Sequence, residues 1–188
     1  VKLTNSDGTG ITDEVTLQVS IDAAIRLTNQ IMEGLSAVDL RAAYVNAIIA
    51  HPAGILGGTD HQFTGRVERV DGKALRLLLD EGIVPVVPPL GFDGEGRTYR
   101  VNSDAAAVEV GEELSASKII YLAPSSAFTG HPALPRQLSV RDTLELIKRQ
   151  RDDFSQSVAS KLECAARACV QGVPRVHLLD GGVNEALL

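Results

Sequence analysis

The chain has 188 residues, of which 44% are hydrophobic and only 4% aromatic, and it contains no tryptophan. This length suits one large domain or two small lobes, and a mainly aliphatic core favours an α/β architecture over an aromatic-rich sandwich. The net charge of −6 argues against nucleic acid as the main partner, since the sequence has no stripe of basic side chains to neutralise phosphates.

The sequence also argues against a membrane partner and a disulfide framework. No apolar run approaches the ~20 residues that a membrane-spanning helix needs. Cys164 and Cys169 lie in an apparent helix without the spacing of a redox or metal motif, so we expect two buried thiols. Because no signal peptide is recognisable either, we expect a cytoplasmic protein.

The first predicted element is a long helix. Thr12 fits its N-cap, and Asp13 and Glu14 in the first turn would be favourable against the helix dipole. We expect this helix to end near Gly34, and AVDLRAAYV (residues 37–45) predicts a second, shorter helix. The apolar residues that recur at roughly helical spacing in the first helix are Leu17, Ile21, Ala24, Ile25 and Ile31.

The central segment predicts strands on both sides of a short helix. NAIIAHP is typical of a strand that ends at Pro52, and ILGGTDHQFTGRVERVD predicts an irregular excursion followed by an edge strand, with a turn at Asp71 and Gly72. KALRLLLDEG predicts a helix that ends before Gly82. IVPVV predicts a buried strand, and PLGFDGEGRTYRV predicts a hairpin around a glycine-rich turn. In the helix predicted for KALRLLLDEG, the leucines expected on one face are Leu75, Leu78 and Leu79.

The second half of the chain continues the alternation. KIIYL predicts a buried strand and APSSAFTGHPALP a loop, after which Ser139 and Asp142 have capping-box spacing before a helix. A further helix is expected to end near Gly172, and RVHLLD predicts the last strand. The apolar face of that further helix is formed by Val158, Leu162, Ala165, Ala166 and Cys169. Strands that alternate with helices over this length predict a mainly parallel sheet between helix layers.

Motifs with a direct chemical meaning are few. The sequence lacks the GxxxxGK[ST] and GxGxxG phosphate loops and the GxSxG nucleophile turn. The four histidines, at positions 51, 61, 131 and 177, have no ligand spacing, so we expect no metal site.

The polar triplet before the alanine-rich run is open to two interpretations. Asn102, Ser103 and Asp104 could cap a helix, or they could face a ligand at the N-terminus of that helix. Lys161, taken alone, is typical of an exposed helix lysine. The residues by themselves leave both interpretations open.

The order of the segments along the chain resembles that of a known protein family. GRVERVDGKALRLLLDEGIVPVVPPLGFDGEGRTYRVNSDAAAVEVGEELSASKIIYL resembles the central part of the amino acid kinase family, in which an N-x-D helix start follows a small hairpin. SKLECAARACVQGVPRVHLLDGGVNEALL resembles the family's lysine-bearing helix and its H-x-x-D-G strand end, and GITDEVTL resembles a motif near the start. The resemblance implies one kinase-like domain over residues 1–188, a three-layer α/β sandwich whose amino-terminal elements lie outside this sequence.

The resemblance also assigns roles to residues. The aspartate of N-x-D, which organises the family's active site, corresponds to Asp104, and the lysine that assists phosphoryl transfer corresponds to Lys161. Asn102 would bind substrate, because backbone N–H groups at a helix N-terminus favour an acidic ligand. His177, which we expect at the end of the last strand, would contribute to an arginine site.

The chain departs from the kinase branch of the family at several of its motifs. The kinases carry an arginine in G-x-R-x-T-D that grips the substrate carboxylate, and Gly10 stands at that position here. Arg100 replaces the first asparagine of N-x-N-x-D. Residues 123–126 (APSS) replace the Asp and Gly residues that hold the nucleotide. The catalytic lysine strand and glycine-rich loop of the kinases have no counterpart in these 188 residues.

The chain is therefore more similar to the kinase-like domain of the family's N-acetylglutamate synthase branch, which lacks kinase activity and binds L-arginine as an effector. This implies a parent protein that transfers acetyl from acetyl-CoA to L-glutamate in arginine biosynthesis. The acetyltransferase chemistry would lie in a separate domain, so these residues would hold no cofactor and would not be catalytic alone.

L-Glutamate or N-acetylglutamate is then the expected small-molecule ligand, and a homo-oligomer is expected. Two alternatives remain: an acetylglutamate kinase that uses ATP and Mg²⁺ to phosphorylate N-acetyl-L-glutamate, and a non-catalytic amino-acid-binding module.

Overall fold

The computed structural model describes residues 10–124 and 135–183 of the chain. The described residues belong to two compact units, which divide within a helix, after Ala106. Among the described helices, none is both long enough and apolar enough to cross a membrane. In chain order the elements are α1 (Glu14–Ser36), β1 (Ala42–Tyr44), β2 (Ile48–Pro52), β3 (Ile55–Leu56), β4 (Thr59–Asp60), β5 (Gly65–Val70), α2 (Gly72–Asp80), β6 (Val84–Val86), β7 (Leu90–Phe92), β8 (Thr98–Arg100), α3 (Ser103–Glu113), β9 (Ile119–Ala123), α4 (Val140–Gln150), a 3-10 turn (Arg151–Asp153), α5 (Gln156–Val170) and β10 (Val176–Asp180).

The first unit contains a four-stranded sheet with the strand order β5-β2-β7-β8. In its centre β2 is parallel to β7, with Ile49 opposite Phe92, and the outer strands β5 and β8 are antiparallel to their neighbours. A separate parallel pair joins β1 to β6, and β3 and β4 form a short hairpin. The four-stranded sheet is therefore mixed, with parallel pairing in the centre and antiparallel pairing at both edges.

The core of the first unit forms where the four-stranded sheet meets the start of α3. Gly91 on β7 lies so close to β2 that a Cβ at this position would come within 2.4 Å of the Ala50 Cβ and 3.1 Å of the Ile48 Cγ2. This close approach of two parallel strands requires glycine. The buried apolar residues of the cluster are Ile48, Ala50, Tyr99, Val101 and Ala106.

The second unit contains the parallel pair β9–β10, which is in register over five residues from Ile119 and Val176 to Ala123 and Asp180. Alternate β9 residues, among them Tyr121, are buried, while the exposed positions between them include Leu122. The buried face packs against residues of α3 and α5. The two buried clusters comprise Val108, Ile119, Tyr121, Ala168 and Val173, and Ala123, Phe154, Val158, Ala159 and Leu162.

The structure confirms an α/β fold with parallel pairing, and most predicted elements are present. β5 is an edge strand, PLGFDGEGRTYRV forms the β7–β8 hairpin, and Gly82 follows α2 with a φ of +66°. Ser139 caps α4 by accepting a hydrogen bond from the Asp142 N–H at 3.1 Å, as the capping box predicts. Most of the predicted loop after β9, and the end of GGVNEALL, lie outside the described residues.

The beginning of α1 differs from the prediction. Asp13, not Thr12, is the N-cap, and its carboxylate accepts the Thr16 N–H at 2.7 Å. The side chain of Thr12 instead makes tertiary hydrogen bonds, which are described below. The helix ends at Ser36, just past Gly34.

The prediction of a helix over residues 37–45 is wrong. A turn with Asp39 at a φ of +59° follows α1, and the segment then forms strand β1, in which Ala42 pairs with Val84. A helix this short is marginal in isolation. Parallel pairing with β6 therefore determines its conformation.

Four further expectations are wrong, three of them about burial. Cys164 and Cys169 are half-buried thiols, not fully buried ones. On α2, Leu75 is fully buried, but Leu79 is 46% exposed and lies off the buried face. The predicted turn at Asp71 is an N-cap, since its carboxylate accepts the Ala74 N–H at 3.0 Å. The strand β6 is half-buried along its length.

The close approach at Gly91 yields a test of the first unit. Gly91→Ala should lower the free energy of unfolding by roughly 1–3 kcal/mol, because the added methyl overlaps the Ala50 side chain. Gly94→Ala in the adjacent turn is the control and should change it by less than about 0.5 kcal/mol, because nothing lies within 4 Å of its added Cβ. Chemical denaturation gives both values, and an unchanged Gly91→Ala variant would contradict the strand packing.

Candidate functional site

The polar triplet lies at the start of α3. The Asn102 side-chain oxygen accepts a hydrogen bond from the Ala105 N–H at 2.9 Å, and its carbonyl accepts one from Ala106, so the capping interpretation is confirmed. Asp104 is in the first turn and only 7% exposed. A carboxylate in the first turn is favourable against the helix dipole. Capping leaves the ligand interpretation open, because a helix N-terminus can serve both purposes.

A network of hydrogen bonds joins the end of β8 to two distant segments. The Arg100 Nε donates to the Thr12 hydroxyl at 3.0 Å, and the hydroxyl oxygens of Thr12 and Thr64 are 2.9 Å apart. The Gly10 carbonyl lies 2.9 Å from the Thr64 hydroxyl and 3.2 Å from the Arg100 Nη2. These four residues close a ring of hydrogen bonds, which we call the Arg100 ring.

The donors in the Arg100 ring follow from simple chemistry. Because the Gly10 carbonyl can only accept, the Thr64 hydroxyl donates its proton to it. The Thr12 hydroxyl therefore donates to Thr64 and accepts from Arg100. Since Thr12 is fully buried and Thr64 is 2% exposed, both hydroxyls depend on these partners to avoid an unsatisfied polar group.

Backbone hydrogen bonds fix the three segments of the ring. The Phe63 N–H donates to the Thr12 carbonyl, and the Arg100 N–H donates to the Phe63 carbonyl, both at 2.9 Å. Before Phe63, Gln62 has a φ of +49°, and its N–H donates to the Asp60 carboxylate at 2.9 Å. This turn brings Thr64 back beside the end of β8.

The ring uses only part of the Arg100 guanidinium. A guanidinium has five N–H donors, of which Nε and one Nη2 proton bind within the ring. Both Nη1 protons and the second Nη2 proton have no acceptor among residues 10–124 and 135–183, and no carboxylate there pairs with Arg100. The half-buried side chain thus presents an unused fork of donors.

Lys161 lies on α5 in the second unit. Its ammonium is 3.4 Å from the Ser157 hydroxyl and 5.9 Å from the centre of the Tyr121 ring, a cation–π distance. The side chain is therefore partly packed against β9, unlike a fully solvated helix lysine.

His177 is the second residue of β10, not the residue that ends the strand, so the expected position is wrong. It lies opposite Ile120 in the parallel pair, on the exposed face of β9 and β10. The strand ends at Asp180, whose carboxylate accepts the Gly182 N–H at 2.9 Å. Strand alternation places His177 and Asp180 on opposite faces of the sheet.

The residues singled out from the sequence fall into two groups. Asn102 and Asp104 belong to the first unit, next in sequence to Arg100, whereas Lys161 and His177 belong to the second. The implied pairing of Asp104 with Lys161 joins the two units and stays a prediction. Among the described residues, no group of three or more His, Cys, Asp or Glu side chains could hold a metal ion.

The sequence did not identify Thr12 and Thr64 as members of a site. They are 52 residues apart, and nothing local marks either as buried. The sequence offers one signal: at positions 10 and 100 it has glycine and arginine, not the arginine and asparagine that the family resemblance implies.

Comparison with known proteins places this architecture in a family. The sequence profile of the amino acid kinase family matches residues 4–180. The chain therefore belongs to the amino acid kinase family.

Relatives come from two branches of that family. The chain is 31% identical to acetylglutamate kinase from Cyanidium caldarium over 97% of its own length and 62% of the kinase. It is 32% identical to amino-acid acetyltransferase from Pseudomonas putida over 96% of its length and 44% of that protein. The chain thus spans less than two thirds of either relative.

Solved structures show the same fold. N-Acetylglutamate synthase from Neisseria gonorrhoeae, in complex with coenzyme A and N-acetyl-glutamate, is 28% identical, with a TM-score of 0.86 over 96% of this chain and 42% of the synthase. The same synthase in complex with coenzyme A and L-arginine is 27% identical, with a TM-score of 0.79 over 96% of this chain and 44% of the synthase.

The Arg100 ring yields a stability prediction. Thr12→Val should lower the free energy of unfolding by about 1–3 kcal/mol, because Arg100 loses an acceptor and Thr64 a donor in a buried position. Thr59→Val, in the exposed hairpin β3–β4, is the control and should change it by less than about 0.5 kcal/mol. Equal effects in denaturant titrations would contradict the ring.

Proposed function

We propose that the chain is the kinase-fold domain of an N-acetylglutamate synthase-type protein and that it senses L-arginine. The parent protein would transfer acetyl from acetyl-CoA to L-glutamate, in the cytoplasm, as a step of arginine biosynthesis. The acetyl transfer itself would be carried out outside these 188 residues.

The likeness to the gonococcal synthase carries the proposal. A TM-score of 0.86 over 96% of the chain is accompanied by 28% identity, so the two share more than a general architecture. A structure of that synthase contains L-arginine, which supports an arginine effector for this chain. Amino-acid acetyltransferases among its relatives point the same way.

Departures from the kinase branch favour the synthase. The family resemblance associates kinase activity with an arginine at position 10, where this chain has glycine. The strand β9 ends in Ala123 and is followed by Pro124, without the acidic residue that the kinases use to hold the nucleotide. Both changes weaken the case for phosphoryl transfer.

We assign His177 to the arginine site. Its imidazole is on the exposed face of β9 and β10, where it can accept a hydrogen bond from a guanidinium or ammonium group if it is neutral. The turn at Gly181 and Gly182 follows the other end of this strand, after Asp180.

The alternative function is acetylglutamate kinase, and a specific observation favours it. Asn102 and Asp104 are retained at the start of α3, and Lys161 is retained on α5. In a kinase, bound ATP and Mg²⁺ would supply the phosphoryl group. Asp104 would orient neighbouring cations, and Lys161 would offset the charge that develops on the transferred group.

Phosphoryl transfer distinguishes the two functions. We expect the intact protein to show no turnover with ATP, Mg²⁺ and N-acetyl-L-glutamate. Robust turnover that Asp104→Asn and Lys161→Ala each abolish would support the kinase and contradict the synthase proposal. Lys148→Ala, which removes an exposed lysine from α4, is the matched control and should leave any turnover unchanged.

Arginine binding tests the regulatory assignment. In calorimetry on the intact protein, L-arginine should bind with measurable heat, and His177→Ala should weaken binding by about 1–3 kcal/mol, the range for a hydrogen bond to a charged group. His51→Ala, which removes an exposed histidine of β2, should have no effect.

The possible outcomes separate the parts of this proposal. If L-arginine does not bind the intact protein, the regulatory function is wrong. If it binds equally well to the His177→Ala variant, only the role of His177 is wrong. Binding of L-arginine in a full-length protein without acetyltransferase activity would favour the amino-acid-binding module.

A further inference from the structure

We infer that α1 is a contact surface between two copies of this chain, and that the two helices cross in antiparallel orientation near Ala23. The surface lies entirely within the first unit. The inference goes beyond the proposed function, because it concerns how the chain assembles. It does not depend on whether the parent protein is a synthase or a kinase.

The helix α1 buries little of its surface. Of its 23 residues, all of which the structure describes, only Thr28 is buried. Contiguous apolar surface that stays in water is costly and marks an interaction site. The large apolar side chains that form an exposed row are Val15, Val19, Leu27 and Ile31, which are 73%, 62%, 57% and 42% exposed.

The exposed row is one continuous ridge of the helix. Its members follow one another at intervals of four residues, the spacing at which helical side chains form a ridge. The five residues, which we call the α1 ridge, are Val15, Val19, Ala23, Leu27 and Ile31. When the ridges of this kind on two helices interlock, the helix axes cross at about −50°. The small side chain of Ala23, in the middle of the ridge, permits a close approach at the crossing.

The order of side-chain sizes along the α1 ridge favours a second copy as the partner. On either side of Ala23 the ridge has one large apolar side chain and then another, so its size pattern reads the same in both directions. A two-fold axis near Ala23 would therefore place Val19 of one copy beside Leu27 of the other, and the same pair again by symmetry. The ridge is thus complementary to its own copy in antiparallel orientation.

The charges beside the ridge favour the same orientation. Because successive helical residues are about 100° apart, Asp22 and Arg26 flank Ala23 on the same side of the ridge. Asp22 accepts a hydrogen bond from the neutral Gln18 amide at 3.1 Å, and among the described residues neither charge has a partner of opposite sign.

The symmetry of an antiparallel pair supplies that partner. A two-fold axis perpendicular to the helices keeps both charges on one side of the interface and brings Asp22 of each copy towards Arg26 of the other. In a parallel pair the axis would carry them to opposite sides. Exposed ion pairs of this kind add little affinity, but they select one orientation.

Sedimentation of the intact protein over a range of concentrations tests the surface. Leu27→Glu should raise the Kd of the contact between copies by roughly 100-fold or more, because the substitution enters the interface twice and buries a charge without a partner. Ile25→Glu is the matched control. Ile25 is 56% exposed on the same helix but lies about 200° around it from Leu27, so its substitution should leave the Kd unchanged.

A charge exchange tests the orientation. Asp22→Arg should weaken the contact between copies by roughly threefold or more, because each new arginine would face Arg26 of the other copy. The double variant with Asp22→Arg and Arg26→Asp should return the Kd to the wild-type value. A double variant that stays as weak as Asp22→Arg would overturn the antiparallel crossing.

A further measurement uses only the wild-type sequence, so it does not depend on the folding of a variant. In a mixture of copies labelled on leucine methyl groups and copies labelled on valine methyl groups, the NMR spectrum should show a nuclear Overhauser effect between Leu27 and Val19. Within one helix these residues are about 12 Å apart along the axis, which is too far for methyl contact. The signal therefore reports the contact between copies.

The remaining outcomes are also decisive. A protein that stays monomeric at every concentration, or a dimer that Leu27→Glu leaves intact, overturns the inference. Equal dissociation by Ile25→Glu overturns the assignment to the α1 ridge. So does a nuclear Overhauser effect between the ridge and another segment of the same copy. None of these results changes L-arginine binding or acetyl transfer, so failure of this inference is distinct from failure of the proposed function.

Discussion

The first unit depends on one buried arrangement, the Arg100 ring. Two fully desolvated threonine hydroxyls connect the chain before α1, the turn before β5 and the last residue of β8. Because each buried hydroxyl is costly without a partner, the three segments adopt one relative position or lose several hydrogen bonds together. The start of α3, and with it Asn102 and Asp104, follows directly from that position.

Much of the fold could be predicted from the sequence where local chemistry decides the structure. Ser139 with Asp142, the glycine-rich turn between β7 and β8, and Gly82 after α2 each act within a few residues, so the sequence reveals them. Residues 37–45 could not be predicted in this way. Their helical pattern is overridden by pairing with β6, about 40 residues away, which no local window contains.

The candidate site also combines residues that the sequence predicts with residues that only the structure identifies. Short motifs that resemble a family predict site roles for four residues, and that resemblance depends on the order of the motifs in the sequence. The four are Asn102, Asp104, Lys161 and His177. Thr12 was assigned to a local cap, but its hydroxyl is used 52 and 88 residues away, by Thr64 and Arg100. The sequence gives one indication of this arrangement, namely that residues 10 and 100 differ from those that the family resemblance implies. That indication can be interpreted only once the structure shows that the two positions are in contact.

The central claim is that the Arg100 ring holds the Arg100 side chain in one orientation. The most direct test is the solvent exchange rate of its Nε–H in the ligand-free protein, measured by NMR with 15N-labelled arginine. The account predicts an Arg100 Nε–H that exchanges on the order of tenfold or more slowly than that of Arg141, whose side chain is 88% exposed on α4. Exchange as fast as that of Arg141 would contradict it.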